Sequence, residues 1–373
     1  MALQIRVMLV DDSAVVRGLF DRALREDSSI NIVCTAANGE VAIAMLKSNP
    51  VDVIVLDIEM PVMDGLTALP ELLAIAPKTR IIMSSSLTKR NAEVSVRAMQ
   101  LGASDYIAKP STRDVSEVGE FYRTLISKIK ALAPHVATIS RVDPPKKETP
   151  MSQAIAASKN GGQMFEPITT PTAPLRRSDH IHGMTALAIA SSTGGPQALL
   201  HIFREMKGNA IKIPIFITQH MPANFTTILA DHITKASGLD CHEAVDEEEV
   251  KPGNVYLAPG DFHMTVTKAA NGTIRMKLDQ SPPVNFCRPS ADPMLKSLSK
   301  IYGDRLLVAV LTGLGADGAR GASDVVASGG AVIAQDEATC VVYGMPKAVA
   351  DAKLTSAVFP LNAIAPFFLR AVT

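Results

Sequence analysis

Ile5-Arg6-Val7-Met8-Leu9-Val10-Asp11-Asp12-Ser13 is an apolar run that ends abruptly in two carboxylates and a hydroxyl. A nearly continuous apolar run fits a strand buried on both faces, and such strands belong to parallel sheets covered by helices. Working outward, the same unit recurs. Ile30–Ala36, Val51–Leu56, Arg80–Ser84 and Asp105–Ile107 read as further strands. Asp64–Ile75, Asn91–Leu101 and the stretches after Ser13 and Gly39 read as helices. Five strands, each followed by a helix, imply a doubly wound five-stranded parallel sheet.

The chain is 373 residues long, which at about 150 residues per domain favours two domains. Hydrophobic residues make up 47% and charged residues 20%, enough apolar material for a core in each domain. Lys+Arg and Asp+Glu are 37 each, so formal net charge is zero. With no dense Lys/Arg stripe, the chain lacks an electrostatic footprint for nucleic acid. Cys34, Cys241, Cys287 and Cys340 are widely separated, which suggests neither a zinc site nor a disulfide framework and suits a reducing cytoplasm. Met1–Val10 carries no secretory pattern, and no apolar run approaches the ~18 residues that span a bilayer. The expectation is a soluble, cytoplasmic protein without direct membrane insertion.

From Pro134 to His180 the composition shifts: seven of these 47 residues are proline, among Ser, Thr, Lys and Gly. This reads as an extended linker with one short helical patch at Ser152–Ser158. The expected division is 1–133, a linker over 134–183, and a second domain over 184–373. In the last, Ala186–Ala190, Pro214–Thr218, Asn254–Ala258, Leu306–Leu311 and Ala331–Ala334 read as buried strands. Pro196–Met206, Asn224–Ser237, Asp292–Tyr302 and Gly318–Ala327 read as helices. Phe262–Lys268 and Ile274–Gln280 flank Asn271-Gly272, a hairpin signal. The second domain is therefore expected to be α/β, a mostly parallel sheet with an antiparallel hairpin.

Asp11, Asp12 and Asp57 stand at strand carboxyl ends, where open parallel sheets form their ligand crevice. Three carboxylates gathered there call for a hard cation, and Mg²⁺ suits them. Lys109 adds an ammonium and Ser85 a hydroxyl, completing what phosphoryl transfer to an aspartate needs. With Val10-Asp11-Asp12-Ser13, Leu56-Asp57-Ile58-Glu59-Met60-Pro61, Met63-Asp64-Gly65 and Lys109-Pro110, residues 3–130 resemble a response-regulator receiver domain, a flavodoxin-like fold. The resemblance implies Asp57 as phosphoacceptor, Asp11 and Asp12 (with Asp57) as Mg²⁺ holders, Lys109 as phosphoryl contact and Ser85 as switch hydroxyl. Ser84 and Ser86 flank Ser85, so the register of that hydroxyl stays open. Tyr106 resembles the family's switching aromatic.

A second constellation lies beyond the linker. Ser191-Ser192-Thr193-Gly194-Gly195 follows one strand, His220 the next, and Asp317 a glycine-rich turn after Leu306–Leu311. A hydroxyl on a sharp strand-to-helix turn, a base and a carboxylate are the parts of nucleophilic acyl transfer. Taken singly, each has a plainer reading as loop, structural histidine or helix cap, and the order Ser…His…Asp differs from that of α/β-hydrolases. Residues 184–373 are similar to the catalytic domain of the chemotaxis protein-glutamate methylesterase family. The resemblance rests on Ser192-Thr193-Gly194-Gly195, Thr218-Gln219-His220-Met221-Pro222, Tyr256-Leu257-Ala258-Pro259-Gly260-Asp261, Arg288-Pro289-Ser290, Leu311-Thr312-Gly313, Asp317-Gly318-Ala319, Gln335-Asp336 and Tyr343-Gly344-Met345-Pro346.

That resemblance implies a phosphorylation-activated serine hydrolase that demethylates glutamate methyl esters on methyl-accepting chemotaxis proteins and deamidates receptor glutamines. A chemotaxis histidine kinase would be the phosphodonor. Ser192 is the implied nucleophile, His220 the base, Asp317 its orienting carboxylate, and Thr193 and the Leu314 backbone the oxyanion hole. Hydrolysis needs no cofactor in this reading; Mg²⁺ serves receiver phosphorylation. Two departures stand out: Ala190-Ser191 replaces Gly-Ala before the nucleophile, and Leu314 replaces a common Met. A DNA-binding output would need a basic helix-turn-helix, which the carboxyl-terminal half lacks. A non-enzymatic adaptor is separable only by assay.

Overall fold

The computed structural model describes residues 4–86, 88–109, 115–133, 175 and 178–373. The expected helical patch at Ser152–Ser158 lies outside them, as does Pro110. The amino-terminal strands are β1 (Ile5–Val10), β2 (Ile30–Ala36), β3 (Val53–Asp57), β4 (Arg80–Ser85) and β5 (Asp105–Ala108). They pair in parallel in the order β2-β1-β3-β4-β5. Between and after them run α1 (Ala14–Arg25), α2 (Gly39–Ser48), α3 (Gly65–Ile75), α4 (Lys89–Gln100) and α5 (Val115–Leu132). Side chains start the first four: Ser13, Asn38, Asp64 and Thr88 each accept a hydrogen bond from a backbone N–H of the first turn. β3 begins two residues later than its apolar run, because Asp52 turns its backbone N–H and its carboxylate toward Arg6.

The second domain holds β6 (Ala186–Ser191), α6 (Gly195–Glu205), β7 (Ile215–Gln219), α7 (Phe225–Ser237), β8 (Asp240–Glu243) and β9 (Asn254–Leu257). After the hairpin β10 (His263–Lys268) and β11 (Ile274–Asp279) come α8 (Ala291–Tyr302), β12 (Leu306–Val310), α9 (Ala319–Ala327) and β13 (Ala331–Gln335). α10 (Met345–Asp351), β14 (Ala357–Phe359) and α11 (Leu361–Ala371) complete it. The order β14-β13-β12-β6-β7-β9-β8 is a seven-stranded sheet, parallel in every pairing. Ile181, inside the expected linker, is buried in the core, and Met184 donates its N–H to the Ala371 carbonyl.

Strand order locates both sites. In the first sheet the chain reverses direction between β1 and β3, and in the second between β6 and β12. Ligand crevices of open parallel sheets form at such switch points, beyond the carboxyl ends. The two domains also share apolar packing: Val342 is buried in the cluster built from Leu9, Phe20, Leu24 and Phe121, with Leu314 and Val341 packed against it. No described helix is long and apolar enough to cross a membrane.

Candidate active site and phosphorylation site

Beyond β1 and β3, ligand oxygens of Asp11, Asp12 and Asp57 lie within 4.8 Å of one another. Lys109 pairs with Asp11 and Asp57 at 2.8 Å each. Burial pushes the Asp57 carboxyl up to about 6, against the pull of Lys109. These hard oxygen donors fit Mg²⁺, which takes a few carboxylates and fills its remaining positions with water and phosphate. A cavity of about 420 Å³ lined by Asp12, Glu59, Arg90 and Asn91 opens beside them. Ser85, fully buried, has its hydroxyl 3.2 Å from Ser95 on α4, while its carbonyl accepts the Lys109 N–H. The Ser84 hydroxyl is buried without a partner, and Ser86 accepts a hydrogen bond from Asn91.

At the second switch point, Ser191 is the last residue of β6 and Ser192 the first beyond it. The Ser191 hydroxyl is buried and donates to Gln219 Oε1 at 2.7 Å. Ser192 is half-buried, and among the described residues its hydroxyl has no hydrogen-bond partner. Of the adjacent pair, Ser192 is thus the one with a free hydroxyl. The turn behind it depends on glycine. Gly194 sits at φ 77°, and a Cβ there would lie 2.5 Å from Val341. At Gly313 a Cβ would lie 2.8 Å from the Ser192 Cβ, and at Gly195 2.0 Å from Gln219 Oε1.

His220 follows β7, its N–H bonded to the Ser191 carbonyl. Its Nε2 is 2.7 Å from Asp317 Oδ2, and its Nδ1 is 3.4 Å from the Cys287 sulfur. With Nε2–H given to Asp317, Nδ1 is the nitrogen left to take a proton. Burial alone would depress this imidazole, but the Cys287 sulfur and the Asp317 carboxylate outweigh it and push its pKa up to about 10.

Asp317 is buried and collects donors from five residues. Besides His220 these are the Ser290 hydroxyl at 2.6 Å, the Ala291 N–H at 2.6 Å, the Asn285 amide at 2.8 Å and the Asp292 N–H at 3.4 Å. Burial alone would raise its pKa; His220 and these donors hold it down to about 2. Next to it, burial and the Asp317 charge push Asp292 up to about 6.

The two residues expected to form the oxyanion hole both meet the first domain. The buried Thr193 hydroxyl donates to Asp105 Oδ2 at 2.6 Å, and Lys128 pairs with the same carboxylate. Leu314 packs against the first domain's core cluster. Tyr106 stacks on Phe225 with ring centroids 4.7 Å apart, Gln197 donates to the Ala103 carbonyl, and Gln100 bonds His232. The structure therefore brings His220 and Asp317 together beside the Ser192 turn, and sets Asp105 against Thr193. Asn285, Cys287, Ser290 and Gln219 escaped the sequence reading; Gln219 and Ser290 lie inside quoted motifs, whereas nothing local marks Asn285.

The CheB methylesterase model matches residues 187–368, and the response regulator receiver domain model matches residues 7–117. A protein-glutamate methylesterase/protein-glutamine glutaminase of Paramagnetospirillum magneticum is 51% identical over 368 residues, covering 98% of this chain and 96% of that protein. One from Azospirillum brasilense is 49% identical over 370 residues, covering 98% of this chain and 92% of that protein. The crystal structure of the Thermotoga maritima CheB methylesterase catalytic domain, 43% identical, covers 50% of this chain and 97% of its own, with a TM-score of 0.48. With relatives matched end to end at about half identity, the chain belongs to the protein-glutamate methylesterase/protein-glutamine glutaminase family, hydrolases built as response regulators with an amino-terminal receiver domain.

Proposed function

We propose that this chain hydrolyses glutamate γ-methyl esters on methyl-accepting chemotaxis proteins in the cytoplasm, releasing methanol, and deamidates glutamine side chains by the same acyl chemistry. The observation that carries the reading is the buried His220–Asp317 pair beside the free Ser192 hydroxyl. Ser192 Oγ attacks the ester carbonyl while its proton passes to His220; the tetrahedral oxyanion then collapses, and His220 returns the proton to the departing methoxide. Water attacks the resulting acyl-serine by the same route, freeing the glutamate carboxylate. Asp317, held ionised, stabilises the imidazolium and fixes its orientation. Thr193 and the Leu314 backbone would stabilise the oxyanion. With glutamine as substrate the leaving group is ammonia.

Control runs through the receiver. A histidine kinase would phosphorylate Asp57, with Mg²⁺ held by Asp11, Asp12 and Asp57 and the phosphoryl group contacted by Lys109. Mg²⁺ would neutralise phosphoryl oxygens during transfer. In the resting arrangement Asp105 occupies the Thr193 hydroxyl and the receiver core packs on Leu314, so the oxyanion wall is engaged by the receiver. The Ser85–Ser95 contact couples the switch hydroxyl to α4, which packs against α6 and α7. A phosphoryl group at Asp57 would pull Ser85 and loosen that packing. The test is methanol release from methylated receptor: Ser192→Ala should lower it to background while the fold is retained. Full activity in Ser192→Ala with loss in Ser191→Ala would reassign the nucleophile.

A further inference from the structure

Phe286 is 84% exposed, the most exposed large apolar side chain among the described residues. Scattered exposed apolar residues are ordinary, but this one sits on an unfavourable backbone. Val284 and Cys287 exchange both backbone hydrogen bonds, at 3.1 and 2.9 Å, which leaves Asn285 and Phe286 as a two-residue turn. Their φ values are 52° and 62°. Such a turn needs two left-handed residues, which Asn-Gly supplies at little strain. Asn285 fits the rule; Phe286 breaks it, and an exposed ring gains no packing to offset the strain. Departures of this kind concentrate at functional sites.

The turn is fastened to the catalytic residues. The Asn285 amide donates to Asp317 and to Asp292, at 2.8 Å each, and the Cys287 sulfur lies 3.4 Å from His220. Arg288 ties the loop from the far side through the carbonyls of Gln280 and Ser281 and through Asp261. Phe286 is therefore held rigidly beside the His220–Asp317 pair. Exposed Pro282 and Pro283 extend the apolar rim. The receiver engages other residues, Thr193 and Leu314, and none of its contacts among the described residues is with Phe286.

We propose that Phe286 is a substrate-docking residue: its ring packs against apolar groups flanking the modified glutamate on the receptor chain and seats the ester between Ser192 and His220. This rests on the esterase reading above and adds the element that distinguishes a protein substrate from a small ester. A short methyl ester has nothing to reach Phe286, whereas a protein segment does.

The test uses the full-length chain with phosphodonor and two substrates, methylated receptor and a small glutamate γ-methyl ester. Phe286→Gly places the residue that the turn prefers, so the loop is kept. It should raise KM for receptor about tenfold, the scale of a buried aromatic anchor, with kcat far less affected and a much smaller loss on the small ester. Phe286→Leu should recover most of the receptor activity. Equal losses on both substrates would mean that the turn merely supports the catalytic pair, and an unchanged receptor KM would mean that the ring docks nothing. Either result overturns the proposal. A wild-type chain inactive on both substrates would instead sink the esterase reading, and the docking role with it.

Discussion

At His220 the two ring nitrogens face different partners, and this sets its titration. As the proposed base, His220 must be neutral to accept the Ser192 proton, yet Cys287 and Asp317 outweigh burial and push the imidazole up to about 10. Below that value the neutral fraction falls about tenfold per pH unit, so hydrolysis should climb steadily with pH through the neutral range. Cys287→Ala removes one of the two upward influences and should move the acid limb of the pH–rate profile to lower pH. An unmoved limb would show that the sulfur is not coupled to the base. Much of this was illegible in the sequence. Strand position alone leaves Ser192, His220 and Asp317 with plainer readings, and only the family resemblance gives them roles; the partners of Asp317 come from Asn285, Ser290 and Ala291, some 26 to 32 positions away. Only folding brings these donors to the carboxylate.

Strands and helices were most legible where burial made them nearly all apolar, as in β1, β6 and β12. The elements missed have physical reasons. β8 reads Asp-Cys-His-Glu at a sheet edge, with only Cys241 buried, and β14 is three residues long at the other edge. α11 carries Pro366 inside it, which reads as a break. Contact between β5 and the catalytic turn was equally invisible, since Asp105 and Thr193 lie 88 positions apart. In the proposed mechanism that contact makes β5 a control element. Asp105→Ala frees the Thr193 hydroxyl and leaves Lys128 without its carboxylate, so methanol release without phosphodonor should rise several-fold toward the stimulated rate. Unchanged basal release would mean that the hydrogen bond restrains nothing.

Taken as one molecule, the chain is two parallel sheets, each with a crevice beyond its carboxyl ends; in the proposed mechanism one receives a signal and the other uses it. The linker expected from the sequence would keep the receiver at high local concentration beside its target, so that the proposed release would be a shift of population rather than a departure. A fragment from Met184 to Thr373 should hydrolyse methylated receptor faster than the unphosphorylated full-length chain. Phosphodonor should stimulate the full chain and leave both the fragment and an Asp57→Asn chain unmoved. Equal rates for fragment and resting chain would exclude restraint by the receiver. The apolar packing between the domains carries a further consequence. Val342, Leu314 and Val341 are shielded together with receiver side chains, and Phe225 is capped by Tyr106. Separating the domains wets these surfaces, and water tolerates large bare hydrocarbon patches poorly. If activation separates the domains as proposed, the working form would then also be the stickier form, prone to clump with its own kind when crowded.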